Sequence, residues 1–278
     1  MWCGSPAPPS QAWLDAETKP AYSGSMMTIG QYEIADLCSG AGLAADGYAA
    51  VFGAPAMYGY DINPQPDYPY VFKQADALEL LQDQALDGYD AIHTSFPCQF
   101  HTTGKHLRKA QGGESKYLDL LTPGLDLLRR NYSHVPWIVE NVDDNTKSVR
   151  KIMDPRPGES LVLLCGTMFG LPIWRHRLFL ANFPIRAALP TGPGIYGGYG
   201  CRHYICPPDP TTGRPRPWGI YHVPGDSIPS GGRTALDADH ARELMGVARS
   251  LPWESLKEGF PPAYTAWVGA DLLRALQG

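Results

Sequence analysis

Four apolar runs in the first half of the chain each stop on a polar or reactive residue. They are YEIADLC (32–38), AMYGYDI (56–62), YDAIHTSF (89–96) and VPWIVENV (135–142). Each is strand length. Between them stand segments with helical spacing: SGAGLAADGYAAVFG (39–53), ADALELLQD (75–83) and YLDLLTPGLDLLRRN (117–131). Strands that alternate with helices form a doubly wound, mostly parallel α/β sheet, because a parallel neighbour is reached only through a crossover. Such a sheet binds ligands outside the carboxyl ends of its strands. The acids, glycines and Pro-Cys pair of this chain fall at those ends.

The sequence continues the pattern and then leaves it. SLVLLCGTMFG (160–170) and RHRLFLANF (175–183) read as later strands of the same sheet. Residues 183–232 are dense in Gly, Pro and Tyr, without helical period, and are too long for a plain connection. The reading is a small irregular lobe. DADHARELMGVA (237–248) and AYTAWVGADLLRAL (263–276) return as amphipathic helices that should dock on the large domain. The expected division is a tail at 1–30, a catalytic domain at 31–182, a lobe at 183–232, and C-terminal helices at 233–278 completing the catalytic domain.

Composition bounds the function. The formal net charge is −5, yet residues 97–117 carry a net +3 and residues 172–218 a net +5. Two basic segments in an acidic protein point to one focused polyanionic partner. The six cysteines (3, 38, 98, 165, 201, 206) are too sparse for a disulfide framework, so a reducing cytoplasm is the expected compartment. No apolar run reaches membrane-spanning length, so no membrane partner is expected. The first twenty residues lack the basic start and apolar core of a secretory signal. Cys201, His203, Cys206 and His222 have a spacing too loose for a zinc site, and no metal is expected.

Four motifs carry chemistry. In DLCSGAGLAADG (36–47) an acid ends a strand and Gly-x-Gly opens a helix, where free N–H groups can meet a ligand. Asp61 ends the next strand, where an acid commonly takes two ribose hydroxyls, and Asp76 follows a third. Three acids at successive ends suit a nucleoside ligand with a cationic or amino-acid end. S-adenosylmethionine fits better than a dinucleotide, since no G-x-G-x-x-G is present. In SFPCQ (95–99), Cys98 sits at an exposed strand end with cations downstream, which favours a thiolate nucleophile. In PWIVENVDD (136–144), Glu140 follows an apolar run, an environment that raises a carboxyl pKa and lets it give a proton near neutrality. In WRHRLFLAN (174–182), Arg175 and Arg177 fall on the same side of a strand.

In this order and spacing, these motifs resemble the DNA (cytosine-5) methyltransferase family, of the Dcm-like bacterial or phage type. The resemblance runs from about Tyr32 to Asn182 and resumes near Thr234. It implies a Rossmann-like methyltransferase sheet, a small target-recognition lobe, S-adenosylmethionine as donor, and double-stranded DNA as substrate of a monomer. It further implies that Cys98 adds to cytosine C6, Glu140 serves N3, Arg177 holds O2, Arg175 supports the loop or a phosphate, and Asn141 orients the Glu140 turn. The donor would be held by Asp36, Cys38, Ser39, Gly40, Gly42, Leu43, Asp61, Ile62, Asp76, Ala77 and Pro97. DNA would be met by Gln99, His101, Lys105, Arg108 and Lys109, on a 99–116 loop closing over a flipped base, and by Arg202, Arg214 and Arg216 of the lobe.

The chain departs from the family pattern at four places. Cys38 stands for Phe, Asp61 for Glu, Ile173 for Gln, and Phe260 to Thr265 for a Gly-Asn turn that approaches the donor. The last departure keeps a different one-carbon donor as an alternative. A catalytically silent DNA-binding relative is another, although a pure binder has no need of Cys98, Glu140 and Arg177.

Overall fold

The computed structural model describes residues 31–101, 118–143, 147–188 and 233–278, with short strand segments between 195 and 222. Seven strands form one sheet: β1 (Ile34–Leu37), β2 (Met57–Asp61), β3 (Val71–Gln74), β4 (Ala91–Ser95), β5 (Trp137–Val142), β6 (Ser160–Leu164) and β7 (Arg177–Ala181). Their spatial order is β3-β2-β1-β4-β5-β7-β6. The first five are mutually parallel, and β7 runs antiparallel between β5 and β6. The chain reverses outward from β1 on both sides, which leaves a crevice at the ends of β1 and β4.

Strand alternation divides the core in two. Ile34, Met57, Ile138 and Phe179 face one side, with α1 (Leu43–Phe52), α5 (Ala238–Met245), α6 (Trp253–Glu258) and α7 (Pro262–Gln277). Leu37, Ile92, Val139, Leu178 and Leu180 face the other, with α2 (Ala77–Gln82), α3 (Leu121–Asn131) and α4 (Ser148–Ile152). Adjacent residues such as Ile138 and Val139 are both fully buried, on opposite faces. That is why these strands read as continuous apolar runs.

Two sequence readings shift. The run 160–170 is not all strand: β6 ends at Leu164 and Gly166–Phe169 forms a 3₁₀ turn closed by Gly170 at φ 72°. Arg175 and Arg177 do not share a strand, because β7 begins at Arg177. The preceding residues pair elsewhere: Trp174 N–H donates to the Tyr221 carbonyl and Tyr221 N–H to that of Pro172. Within 195–222 the segments Ile195–Tyr196 with Arg202–His203, and Ile205–Cys206 with Arg216–Pro217, form antiparallel pairs. The expected tail, 1–30, lies outside the described residues.

Helices α1 and α7 pack closely. A Cβ at Gly47 would collide with the Pro262 carbonyl and the Thr265 hydroxyl. Thr265 Oγ1 donates to the Ala44 carbonyl at 2.8 Å. The segment Phe260 to Thr265 is therefore a brace against α1, with Tyr264 and Thr265 fully buried. Gly47→Ala should lower stability by about 1–3 kcal/mol, the usual cost of overpacking. Gly88→Ala, where an added Cβ meets open space, should be near neutral. Thermal unfolding of both variants checks this.

Candidate active site

Strand pairing, parallel for β4 with β5 and antiparallel for β5 with β7, sets the site. Ser95, the last residue of β4, stands opposite Glu140 in β5, and Val142 stands opposite Arg177 in β7. Cys98 follows β4 by three residues. It is half-buried in a turn, where its carbonyl accepts the His101 N–H at 2.9 Å. Pro97 and Gln99 on either side are half-buried too. Asn141 fixes where this loop starts. Its side-chain amide donates to the Phe96 carbonyl at 2.8 Å, and its Oδ1 accepts the Val142 N–H at 2.9 Å. One side chain thus holds both the Glu140 turn and the root of the Cys98 loop.

Glu140 is 5 % exposed and faces Arg177, with Nε 3.2 Å from Oε1. The sequence reading gave this carboxyl an apolar setting alone. The reversed strand β7 brings a guanidinium beside it, which balances the charge. Arg177 also donates to the His176 carbonyl at 2.8 Å. Arg175 is fully buried, and its guanidinium donates to the carbonyls of Gly259 and Lys257, each at 2.5 Å. It braces the chain between α6 and α7.

The glycine loop lies across the ends of β1 and β2. Ser39 N–H donates to the Tyr60 carbonyl, and Gly40 N–H to Asp61 Oδ2, both at 3.1 Å. Asp61 Oδ1 takes the Asn63 N–H at 2.9 Å. Cys38 adopts φ 52°, a conformation uncommon outside glycine and frequent at functional turns. Gly40 and Gly42 are left-handed too, and a Cβ at Gly42 would meet Pro69 and the Tyr68 ring at 2.9 Å. Leu43 opens α1 and is buried, whereas the neighbouring strand end leaves Ile62 61 % exposed. Asp76 is the N-cap of α2: Oδ1 accepts the Leu78 N–H at 2.7 Å, and Ala77 behind it is buried. Both capping bonds use Oδ1.

Cys38 and Cys98 are both half-buried. Desolvation and then the nearby carboxylates of Asp61 and Asp36 push the Cys38 thiol well above its usual range, so it stays a thiol. Asp36 is itself fully buried; burial raises its pKa well above the carboxylate range, partly opposed by the Tyr68 hydroxyl donating to Oδ2 at 3.3 Å. Asp36 Oδ1 and Ser39 Oγ are buried polar atoms with no partner among the described residues. Orphaned acceptors beside a glycine loop, acids at two strand ends and an exposed Ile62 fit a nucleoside with a cationic amino-acid end.

His101 Nε2 meets Asp119 Oδ1 at 2.8 Å, and Asp119 also takes the Thr122 N–H and hydroxyl. These bonds, despite partial burial, hold the Asp119 carboxyl below its usual range. Lys105, Arg108, Lys109 and Arg214 lie outside the described residues, as do the side chains of Arg202 and Arg216. Among the described residues no cluster of His, Cys, Asp or Glu is arranged to hold a metal ion, and no helix is long and apolar enough to cross a membrane.

Sequence reasoning missed three groups. Arg249 binds Asp46 Oδ2 at 2.9 Å, the Asp67 carbonyl at 2.8 Å and the Ala41 carbonyl, tying the C-terminal part to the glycine loop. Nothing in the sequence marks it. Tyr68 has no local signal either. Tyr48 and His93 do have one: a histidine inside the apolar run AIHTS must find partners when buried.

The strand order with a reversed seventh strand is a Rossmann-like, doubly wound α/β arrangement. No protein-family model matches the chain, and no curated protein matches it. Among solved structures it is similar to a mutant of DNMT2 from Spodoptera frugiperda, at 16 % identity and a TM-score of 0.49, covering 89 % of this chain and 100 % of that one. That identity is too low to carry substrate or residue roles from one chain to the other.

His93 generates a pH prediction. It is fully buried, and burial lowers its pKa to about 3. The folded protein keeps it neutral, while an unfolded histidine takes a proton near pH 6.5. Its contribution is therefore complete above about pH 6.5 and declines as pH falls toward about 3, by up to about 1.4 kcal/mol per pH unit. Denaturant unfolding across pH 7 to 4.5 should show this slope, and His93→Gln should be flatter by that amount.

Proposed function

We propose that this chain methylates C5 of a cytosine in double-stranded DNA, through a covalent adduct between Cys98 and C6. The observation that carries the reading is the meeting of three strand ends. Cys98 stands on a loop whose root is held by Asn141, the residue after a buried Glu140 that is paired with Arg177. A nucleophile and an acid–guanidinium pair at adjoining strand ends match what a pyrimidine needs at C6, N3 and O2.

Cytosine C5 is a weak nucleophile. Attack of the Cys98 thiolate on C6 forms the S–C6 bond; Glu140, which takes up a proton from solvent as the base enters, passes it to N3, so electron density collects at C5. A guanidinium has five donors, so Arg177 can hold O2 while it keeps Glu140 in place. Bound S-adenosylmethionine supplies an electrophilic methyl group. Ser39, Gly40 and Gly42 with Asp61 and Ile62 would hold it, and Cys38, kept a thiol, stays out of the chemistry. After the C5–methyl bond forms, a base takes the C5 proton, the S–C6 bond breaks, which restores the thiolate, and N3 returns its proton to Glu140. The cytosine must leave the duplex to reach these groups. The basic 99–116 loop and the 183–232 lobe are the proposed DNA contacts.

Cys98→Ala should abolish methylation and leave DNA binding largely intact. DNA bearing 5-fluorocytosine should trap a covalent adduct in the presence of S-adenosylmethionine, since fluorine cannot leave as a proton. Denaturing electrophoresis and nucleoside mass spectrometry read both outcomes, and full activity of the alanine variant would sink the mechanism. Glu140→Gln should bind the donor normally and lose about 10²–10⁴-fold in rate. In the lobe, replacing a phosphate-contacting arginine among Arg202, Arg214 and Arg216 should reduce the salt slope of binding by about one unit.

A further inference from the structure

A buried polar chain runs from α1 to the rim of the site. Tyr48 Oη lies 3.0 Å from His93 Nδ1, and His93 Nε2 lies 3.1 Å from Ser95 Oγ. Tyr48 and His93 are fully buried, while Ser95 is half-buried at the end of β4. The direction of the chain follows from satisfaction. A neutral imidazole donates from one nitrogen and accepts at the other. Tyr48 has no other partner among the described residues, so if it accepted from Nδ1 its own hydrogen would be stranded in the core, at a cost of about 1–3 kcal/mol. Tyr48 therefore donates to Nδ1, and Nε2–H donates to Ser95 Oγ. The Ser95 hydrogen is then left to donate outward, and among the described residues nothing accepts it.

The surroundings say what should. Ser95 is on the strand beside β1, whose end carries the glycine loop, and His93 stands opposite Asp36 in the register. Tyr48 is on α1, the helix that the glycine loop opens. All three members thus belong to elements that flank the donor loop, and the orphaned Ser39 Oγ lies in that loop. We propose that Ser95 is a further cofactor-contacting residue, its hydroxyl hydrogen aimed by Tyr48 and His93 at the carboxylate of the donor's amino-acid end. This rests on the donor reading above. His93 is a positioning residue: it stays neutral through the working pH range and moves no proton.

Two measurements test it. In the full chain labelled with ¹⁵N-histidine, His93 should show a protonated Nε2 and a bare Nδ1 from pH 8 to 5; the opposite tautomer overturns the donor argument. Calorimetry then compares S-adenosylhomocysteine with methylthioadenosine, which lacks the amino-acid end. Ser95→Ala should weaken the first about 10- to 100-fold, the range for a hydrogen bond to a charged group, and change the second less than about twofold. Ser95→Thr keeps the hydroxyl and should restore most of the affinity. Equal loss for both ligands, or none for either, overturns the proposal while leaving the donor site standing. If the wild-type chain binds neither ligand, the donor reading falls and this one with it.

Discussion

Glu140 sits in the sheet with 5 % of its surface exposed. A carboxylate placed there alone would cost several kcal/mol. The answer is topological. A seventh strand laid parallel to β5 would need a crossover helix and would arrive from the other end. The antiparallel β7 begins at the level of Val142 and brings Arg177 in at its first residue. The ion pair, the strand order and the place of the carboxyl are thus one arrangement. Neighbouring segments are anchored around that first residue of β7. Arg175, just before it, holds the carbonyls of Lys257 and Gly259, and the Tyr264 hydroxyl donates to the Arg175 carbonyl at 2.6 Å.

The same face carries a row of polar side chains. Asp36, His93 and Glu140 lie on successive strands β1, β4 and β5, with the alternation that also points Ile34 and Ile138 that way. Helix α1 covers them and contributes Tyr48. A polar layer under a helix is tolerable only when nearly every atom has a partner. Tyr48 and His93 satisfy one another and His93 meets Ser95, whose hydroxyl hydrogen is left over; Tyr68 takes one oxygen of Asp36, and Arg177 takes Glu140. Among the described residues, Asp36 Oδ1 and Ser39 Oγ both lack a hydrogen-bond partner at the glycine-loop end, while Trp137 Nε1 and Arg242 Nε lack one singly elsewhere. Two unmet groups together, where a ligand is expected, mark a site more than a packing fault.

Most of the sheet was legible because its strands are buried on both faces. A run such as WIVENV cannot be read any other way once helical segments flank it, and the acids and the Pro-Cys pair mark the strand ends. The order of β6 and β7 was not legible, since pairing partners far apart in sequence leave no local trace. For the same reason the apolar neighbours of Glu140 were visible and its cation was not. Asp76 shows a different limit of the sequence: QADAL holds both a strand end and a helix start, and the cap that its Oδ1 forms on α2 has no separate sequence signal. Arg175 and Arg177 looked equivalent because alternation was applied across a strand boundary that Trp174 sets by pairing with Tyr221.

The departure at Phe260 to Thr265 has a physical meaning that the sequence did not carry. Pro261 and Pro262 start α7 where a missing N–H does no harm. Phe260 stacks on Tyr264 at 5.9 Å, and Thr265 reaches the first turn of α1 through the gap that Gly47 leaves open. Arg249 completes the hold by gripping Ala41 and Asp67 on either side of Gly42 and Tyr68. The N-terminal glycine loop is therefore positioned by residues from the far end of the chain. The substitutions that bear on the glycine loop are accordingly to be sought in α1, α7 and the Arg249 turn as much as in the loop itself.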